Sequence, residues 1–407
     1  MPELSSIGKS ERKIFGFNLN VFFLGIVSFL TDISSEMIFT LVPLFLSNVL
    51  GAATTIVGLA GGISDSVDSL FRIAGGWLSD KFRKRKVLMV AGYSLSTVVK
   101  PLMYIASTWG VVVGVRFLDR VGKGIRSSPR DALVAASVSK GERGKAFGLH
   151  RAMDTAGAFI GLAAAAYIIY VVQGGGLKLS LEAYRWIVLV GVIPAVLAVL
   201  VLILFVREKT PPANNDTRPA TPVRFADHFD RRFRVFLVIM AVFTLGKSSD
   251  FFVILRAQNL EVPLIQVTLM LVLLNITYSL VSIPAGMLSD KLGRRRVIIV
   301  GWFIYALVYL GFALATNLWS VWLLFAGYGI YQGVVEGVAR AFVADLVAEP
   351  RRGTAYGLYH GVVGLLALPA SLIAGWLWEI ASPAAPFYLG AGLSFVSAIG
   401  LWMLVKE

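Results

Sequence analysis

Twelve apolar runs, each long enough to cross a lipid bilayer, divide the sequence into two sets of six. The first set lies at about residues 17–47, 54–79, 87–107, 110–135, 146–171 and 185–206. The second set lies at about residues 234–257, 264–289, 297–316, 318–345, 354–379 and 386–405. A membrane-spanning helix needs about 20 predominantly apolar residues. The pattern therefore predicts an all-α membrane protein with 12 transmembrane helices, called spans 1–12 below.

The composition excludes a soluble enzyme. Of the 407 residues, 57% are apolar and only 15% are charged, whereas soluble domains have about 45–50% and about 25%. The chain has no cysteine and its three histidines are far apart in sequence, which argues against thiol chemistry and a helical zinc site. The net charge of +14 is explained by the loops between the spans and does not indicate nucleic-acid binding. We expect neither an enzyme nor a protein with a cofactor or a bound metal.

The only long polar segment lies between the two sets of runs, at residues 207–233. It contains Pro211, Pro212, Pro219 and Pro222, which is a composition typical of a linker. We therefore expect three parts: an N-terminal six-helix bundle at residues 1–206, a cytoplasmic linker at 207–233 and a C-terminal six-helix bundle at 234–407.

The lysine and arginine residues of the short loops indicate the orientation in the membrane, because such loops are retained in the cytoplasm. Counted from a cytoplasmic N-terminus, the inner segments carry 25 basic residues and the outer loops carry only Lys178 and Arg185. Both termini are therefore expected in the cytoplasm, and the chain is expected to lie in the cytoplasmic (inner or plasma) membrane as a multi-pass protein. No heptad pattern or soluble domain suggests assembly, so we expect a monomer.

An internal repeat supports the division into halves. The segment GWLSDKFRKRKV at residues 76–87 recurs 210 positions later as GMLSDKLGRRRV at residues 286–297. The segment RGKAFG at residues 143–148 recurs 209 positions later as RGTAYG at residues 352–357. Two motifs repeated in the same order and spacing indicate duplicated halves, and parallel repeats are one known plan for transporters.

The first repeated motif resembles the signature of the major facilitator superfamily, G-x-L-x-D-[RK]-x-G-[RK]-[RK]. It lies between spans 2 and 3 and again between spans 8 and 9. Gln332-Gly333 in span 10 is similar to a second signature of that family, and Lys123-Gly124 precedes it by 209 positions. The resemblance covers essentially the whole chain. It implies two six-helix bundles around a cavity at mid-membrane, and transport by alternating access.

The resemblance also implies a cytoplasmic gate built on the repeated motif. An aspartate at a helix end beside an arginine cluster can form charge-assisted hydrogen bonds that break when the bundles move. The alternative is that the basic residues of these loops only set the orientation. The expected gate residues are Gly76, Asp80, Lys84, Arg126, Arg130, Asp131, Gly286, Asp290 and Arg294.

Three glycines of span 5 are similar to a motif of the superfamily's antiporters. Gly148, Gly157 and Gly161 keep the spacing of that motif, and Leu162 stands in place of its proline. Glycines at this spacing let helices approach closely. The resemblance therefore implies close packing of span 5 and an antiport mechanism.

Ionisable residues within the spans indicate the transport site, because a charge at mid-bilayer costs at least ~2.5–3.5 kcal/mol. Five cations of span 4 follow one another at intervals of three or four residues, which predicts one basic stripe. They are Arg116, Arg120, Lys123, Arg126 and Arg130. A cavity lined by this stripe favours an anionic or zwitterionic solute. The residues expected to bind the solute are Arg116, Asp119, Arg120, Lys123, Lys247 and Asp250. For Lys247 and Asp250 the alternative is a pair that only neutralises itself.

Two pairs of carboxylates are expected to carry protons. Asp32 and Glu36 share a face of span 1, and Asp65 and Asp68 share a face of span 2. Two adjacent carboxylates in a low dielectric repel each other, so one of them tends to hold a proton near neutral pH. The alternative is that these four acids only neutralise the cations of span 4 in permanent pairs.

These features favour a proton-coupled secondary transporter that exports a small organic solute. A divalent metal cation transporter is an alternative, because the four carboxylates could supply oxygen ligands, although the nearby cations oppose it. A non-transporting sensor or a channel on the same fold is a further alternative. The repeated gate motif argues against it, since a gate of this kind serves a cycling carrier.

Overall fold

Helices make up nearly all of the regular structure in the computed structural model. It describes residues 13–82, 84–138, 142–174, 176–208, 230–347 and 352–405. Within these residues the only strands are Lys13–Ile14 and Phe17–Asn18, which pair antiparallel just before span 1. The predicted all-α fold of 12 long helical segments is confirmed.

The first six spans begin and end close to the apolar runs. Span 1 is Leu19–Phe39, continued by Val42–Leu44 and a π-helical turn at Phe45–Val49. Span 3 is Arg85–Val99, continued by a 3₁₀ turn at Lys100–Met103. The other helices of this half are Thr54–Phe82 (span 2), Trp109–Ala136 (span 4), Arg143–Gln173 (span 5) and Leu181–Phe205 (span 6).

The last six spans follow residue 230. Span 7 is broken into Arg231–Gly246 and Phe251–Asn259. The other helices are Leu264–Leu292 (span 8), Arg294–Leu314 (span 9), Leu318–Leu346 (span 10), Arg352–Ile380 (span 11) and Ala385–Leu404 (span 12). Because the number of spans is even, both ends of the chain lie on one side of the bundle. We call this the terminal side and the other the opposite side.

Spans 2, 3 and 4 differ from the rest in composition. Nine helices of the described part are both long and apolar enough to cross a membrane, and these three spans are not among them. Spans 2 and 4 carry several charged residues each, and the α-helical part of span 3 has only 15 residues. The charged helices therefore lie together in the first half of the molecule.

Matching hydrogen bonds in the two halves show the duplication in three dimensions. Arg85 Nη1 donates to the carbonyl of Ala132 (3.1 Å), and Arg294 Nη1 donates to the carbonyl of Ala341 (2.7 Å), each across 47 positions of sequence. In both halves the start of the third span of the half is thus tied to the end of its fourth span.

Spans 2 and 11 hold the two halves together on the opposite side. A side chain on Gly62 or Gly375 would lie 2.7 Å from backbone atoms of the facing helix, so only glycine permits this approach. Nearer the surface, the carboxylate of Glu379 accepts hydrogen bonds from the Thr54 hydroxyl (3.0 Å) and the Thr55 backbone N–H (2.7 Å). Spans 5 and 8 also pack against each other across the two halves, and span 7 contacts spans 1 and 2.

Candidate functional site: a charged cavity between the two halves

A cavity of two connected chambers lies between the halves. The wide chamber has a volume of about 840 Å³ and the deep chamber about 480 Å³. The wide chamber is lined by Gly76, Arg340 and Gly357, which lie near the terminal ends of spans 2, 10 and 11. The deep chamber includes Phe39 and Phe251, toward the opposite side. The cavity is therefore closed by spans 2 and 11 on the opposite side and extends toward the terminal side.

Span 7 is interrupted where it lines this cavity. Residues Lys247–Asp250 separate its two helices, and all four line the deep chamber. The Ser249 backbone N–H donates to Ser371 Oγ of span 11 (3.1 Å), which replaces one helical hydrogen bond. Broken helices of this kind place polar backbone and side chains at transporter binding sites. This break was not predicted from the sequence.

Asp250 sits at the break beside a cluster of tyrosines. Its carboxylate accepts hydrogen bonds from Tyr328 Oη (2.5 Å) and from Gln332 Nε2 (3.5 Å). Tyr305 and Tyr309 stack on each other with ring centroids 4.0 Å apart, and Tyr328 packs against both. This cluster was not predicted from the sequence, although its members are four residues apart in span 9 and three apart (Tyr328 and Tyr331) in span 10, which places them on single helix faces.

All six residues expected to bind the solute line the deep chamber. They differ in whether their side chains already have hydrogen-bond or ion-pair partners in the protein. Asp119 is buried and accepts a hydrogen bond from the Ser96 hydroxyl, with Arg120 Nε at 3.7 Å and Arg116 Nη1 at 4.0 Å. The side chains of Lys123 and Lys247 form no hydrogen bond or ion pair within the described part of the chain. Lys247 does not pair with Asp250.

Arg116 is the most deeply buried cation of span 4. Its Nη2 donates to Ser64 Oγ (2.7 Å), while its Nε and Nη1 have no hydrogen-bond acceptor among the described residues. The guanidinium lies over the ring of Phe39 at 4.6 Å and that of Phe251 at 5.6 Å. Since Phe251 belongs to span 7, this cation touches both halves at the closed end of the cavity.

The predicted basic stripe does not run the length of span 4. At 3.6 residues per turn, Arg126 is rotated by about 80° from Arg116, and its guanidinium stacks on Tyr93 of span 3 at 4.1 Å. Neither Arg126 nor Arg130 lines the two chambers. Of the five cations in the predicted stripe, therefore, only Arg116, Arg120 and Lys123 line the cavity.

The four carboxylates expected to carry protons all line the deep chamber. Asp68 forms an ion pair with Arg72 (2.8 Å), and Glu36 accepts a hydrogen bond from Thr40 Oγ1 (2.6 Å). Within the described residues Asp32 and Asp65 have neither a hydrogen bond nor an ion pair on their side chains. Instead of two equivalent carboxylate pairs, each span contributes one engaged and one free acid.

The residues expected to form the gate make contacts within their own half. Arg294 contacts Asp290 (3.4 Å) and Asp345 (2.7 Å), and Arg130 contacts Asp131 (3.0 Å). Lys84 is exposed, Gly76 lines the wide chamber and Gly286 faces open space. The side chain of Asp80 lies outside the part of the chain that the structure describes. No described contact of these residues joins the two halves.

Two of the three span 5 glycines pack against span 1. A Cβ on Gly161 would lie 2.6 Å from the carbonyl oxygen of Ile33 and 3.2 Å from Cβ of Glu36. A Cβ on Gly157 would lie 3.2 Å from Cβ of Asp32. Gly148 faces open space. The close contact therefore places span 5 directly behind the carboxylates of span 1.

Comparison with known proteins identifies the family. The model of the Major Facilitator Superfamily matches residues 24–255 and 235–407. An uncharacterised MFS-type transporter of Methanocaldococcus jannaschii is 39% identical over 386 residues, which cover 93% of each chain. The multidrug resistance protein MdtH of Salmonella paratyphi B is 30% identical over 144 residues, 35% of this chain and 36% of that protein.

Solved transporter structures share the fold. The nucleoside transporter NupG superposes with a TM-score of 0.74 at 14% identity, over 95% of this chain and 99% of NupG. The xylose transporter XylE of E. coli, in an inward-open conformation, superposes with a TM-score of 0.72 at 16% identity, over 95% of this chain and 96% of XylE. The chain belongs to the Major Facilitator Superfamily and is a multi-pass membrane transporter, not an enzyme.

Proposed function

We propose that this protein is a secondary active carrier that moves a small anionic or zwitterionic organic solute by alternating access. The observation that carries the proposal is the charged cavity, which both halves line and which spans 2 and 11 close on one side only. A carrier needs such a site between two bodies that can rock against each other. The two bodies are residues 1–206 and 234–407, joined by the linker at 207–233, in a monomer.

We propose that the protein lies in the cytoplasmic membrane with both termini in the cytoplasm. The support is the basic-residue count, 25 in the inner segments against two in the outer loops. In this orientation the terminal side is the cytoplasmic side, so the structure is an inward-facing state. The gate residues, including Asp80 and Asp290, would then join the two halves only after the cytoplasmic side closes.

We propose that protons drive the transport and that the direction is export. Asp32 and Asp65 support the proton coupling, because both are carboxylates at the cavity without a fixed partner among the described residues. Glu36 lies one helical turn from Asp32, and Asp68 lies one turn from Asp65, so each would influence whether its neighbour holds a proton. The packing of Gly157 and Gly161 on span 1 supports an antiporter, since it seals the helix that carries Asp32 and Glu36.

The carboxylates also bear on the alternative of a metal transporter. Within the described residues, no group of three or more His, Asp or Glu side chains is arranged to hold a metal ion. A hard divalent cation prefers several oxygen ligands in one shell. The geometry therefore favours an organic solute over a metal ion.

Proteoliposomes with a pH-sensitive dye inside test the proposal. We expect organic anions or zwitterions from a panel to cause proton movement across the membrane in the wild type. Asp65→Asn should lose the solute-dependent proton movement, while Glu182→Gln, an exposed acid at the start of span 6, should retain it. Solute uptake without proton movement would contradict the coupling, and a response only to divalent metals would contradict the substrate class.

A further inference from the structure

The cavity carries as many acids as bases, which limits the kind of solute that it can hold. Among the residues that the structure describes, seven basic and seven acidic side chains line the two chambers. The bases are Arg72, Arg116, Arg120, Lys123, Arg151, Lys247 and Arg340. The acids are Asp32, Glu36, Asp65, Asp68, Asp119, Asp250 and Glu336. A simple anion therefore meets no net positive charge here, contrary to the expectation from span 4 alone.

Several of these charges are already neutralised by neighbours. Asp68 pairs with Arg72 and Glu336 pairs with Arg340 (3.2 Å), while Asp119 lies against Arg116 and Arg120. These groups form the walls of the cavity. A solute can compete for them only by breaking an existing contact, at a cost that its own binding would have to exceed.

Apart from Asp32 in the deep chamber and Arg151 in the wide chamber, the charges that remain lie where the two chambers meet. Five charged residues line both chambers and so mark their junction: Glu36, Asp65, Lys123, Lys247 and Asp250. The side chains of Asp65, Lys123 and Lys247 have no hydrogen bond or ion pair within the described residues. Asp250 and Asp65 are both exposed to the cavity. The junction therefore offers unpaired charges of both signs in one place.

Each sign of charge at the junction comes from both halves. Asp65 of span 2 and Lys123 of span 4 belong to the first half, and Lys247 and Asp250 of span 7 belong to the second. Asp65 and Asp250 both line the junction, and so do Lys123 and Lys247. A single cation held between Asp65 and Asp250 would thus touch both halves, and so would an anion held between Lys123 and Lys247.

We propose that the junction binds a zwitterionic solute, with a cationic amine between Asp65 and Asp250 and an acidic group at Lys123 and Lys247. This inference rests on the proposed function and narrows its substrate class. A solute with both charges satisfies all four side chains, whereas an anion alone leaves the two carboxylates unpaired and repels them. Because each contact pair spans the halves, the bound zwitterion also draws the halves together, as alternating access requires.

Three matched sets of small molecules test the proposal on the purified full-length protein. The first set is the ω-amino acids from glycine to 6-aminohexanoate, the second is the matching carboxylates from acetate to hexanoate, and the third is the matching amines from methylamine to pentylamine. We expect at least one amino acid to raise Tm, because a ligand that binds only the folded state stabilises it. Its matched carboxylate and amine should leave Tm unchanged at the same concentration. An equal rise with the carboxylate, or no rise with any amino acid, would overturn the proposal.

Charge-neutralising variants assign each half of the solute. In Asp65→Asn with Asp250→Asn, the affinity for the best amino acid should fall about tenfold or more, to that of the matched carboxylate. In Lys123→Gln with Lys247→Gln, it should fall to that of the matched amine. The exposed pair Lys178→Gln with Glu182→Gln serves as the control and should bind as the wild type does. Unchanged affinity in both cavity variants would overturn the assignment.

A single variant and a transport assay distinguish misfolding from a wrong assignment, and the binding site from the carrier function. Asp65→Asn alone removes no hydrogen bond of the described structure, so it remains informative if the double variant does not fold. Solute exchange in proteoliposomes separates the two proposals from each other. If an amino acid binds but is not exchanged across the membrane, the carrier function is contradicted and the binding site is not. If a matched carboxylate, which lacks the amino group, is exchanged as well as the amino acid, only the zwitterion site is contradicted.

Discussion

Two aspartates of span 4 show how differently one residue type can act in this protein. Asp119 is buried among Arg116, Arg120 and the hydroxyl of Ser96. Asp131 pairs with Arg130 at 3.0 Å, but half of its side chain is exposed. A buried charge that loses its partner costs about 3–5 kcal/mol, while an exposed pair contributes about 0–1 kcal/mol. Burial therefore decides which of the two carboxylates stabilises the fold.

Neutralising these aspartates should separate the two cases. Asp119→Asn should lower the free energy of unfolding by about 3–5 kcal/mol, because Arg116 keeps its charge in a buried site. Asp131→Asn, the matched control, should lower it by less than about 1 kcal/mol. Thermal unfolding of both variants in the same detergent measures the difference. Equal losses would contradict the buried network, and Arg116→Met added to Asp119→Asn should recover part of the loss.

At the scale of the elements, the contact of span 5 with span 1 depends on glycine at two positions out of three. Gly157 and Gly161 touch backbone atoms of span 1 beside Asp32 and Glu36, whereas Gly148 faces open space. We expect Gly161→Ala to force the helices apart and lower Tm, because the added Cβ meets the carbonyl oxygen of Ile33. Gly148→Ala should leave Tm unchanged or raise it, since alanine favours a helix over glycine by about 1 kcal/mol.

The same pair of variants separates packing from mere helix propensity. Thermal unfolding and proton movement in proteoliposomes are the two measurements. A Gly161→Ala variant as stable and active as Gly148→Ala would show that the close contact is not needed. Loss of coupling with retained solute binding in Gly161→Ala would instead support the role of this contact in sealing the carboxylates of span 1.

The helices themselves follow from the sequence, since apolar runs of spanning length leave the chain no other way to satisfy its backbone in lipid. The break in span 7 could not be predicted in this way. The run from Gly246 to Asp250 has no proline, and it leaves the helix through tertiary contacts such as the bond from Ser249 to Ser371. The partners of the charged residues could not be predicted from the sequence either. Arg126, for example, stacks on Tyr93 only because of the way span 4 faces span 3. The tyrosine cluster around Asp250 could have been predicted, because the sequence spacing of its members places them on single helix faces.

At the scale of the whole molecule, alternating access requires the halves to separate on the opposite side. Spans 2 and 11 close that side through Gly62, Gly375 and the hydrogen bonds of Glu379 to Thr54 and Thr55. These bonds are exposed, so each contributes little by itself and can break during a cycle. The closure therefore combines close helix packing in its middle with polar contacts at its surface, and the proposed cycle requires both to separate.

Locking this closure should stop transport. The chain has no cysteine, so Thr54→Cys with Glu379→Cys introduces the only two thiols of the protein, across the two halves. A short cleavable crosslinker should abolish solute-dependent proton movement, and reduction should restore it in the same sample. In the control Gln173→Cys with Ser180→Cys, both thiols belong to the first half and lie at the two ends of the loop between spans 5 and 6, so crosslinking should leave transport unchanged. If the crosslinked variant of Thr54 and Glu379 transports as well as the unlinked protein, spans 2 and 11 do not need to separate. That result would contradict alternating access by opening at this contact.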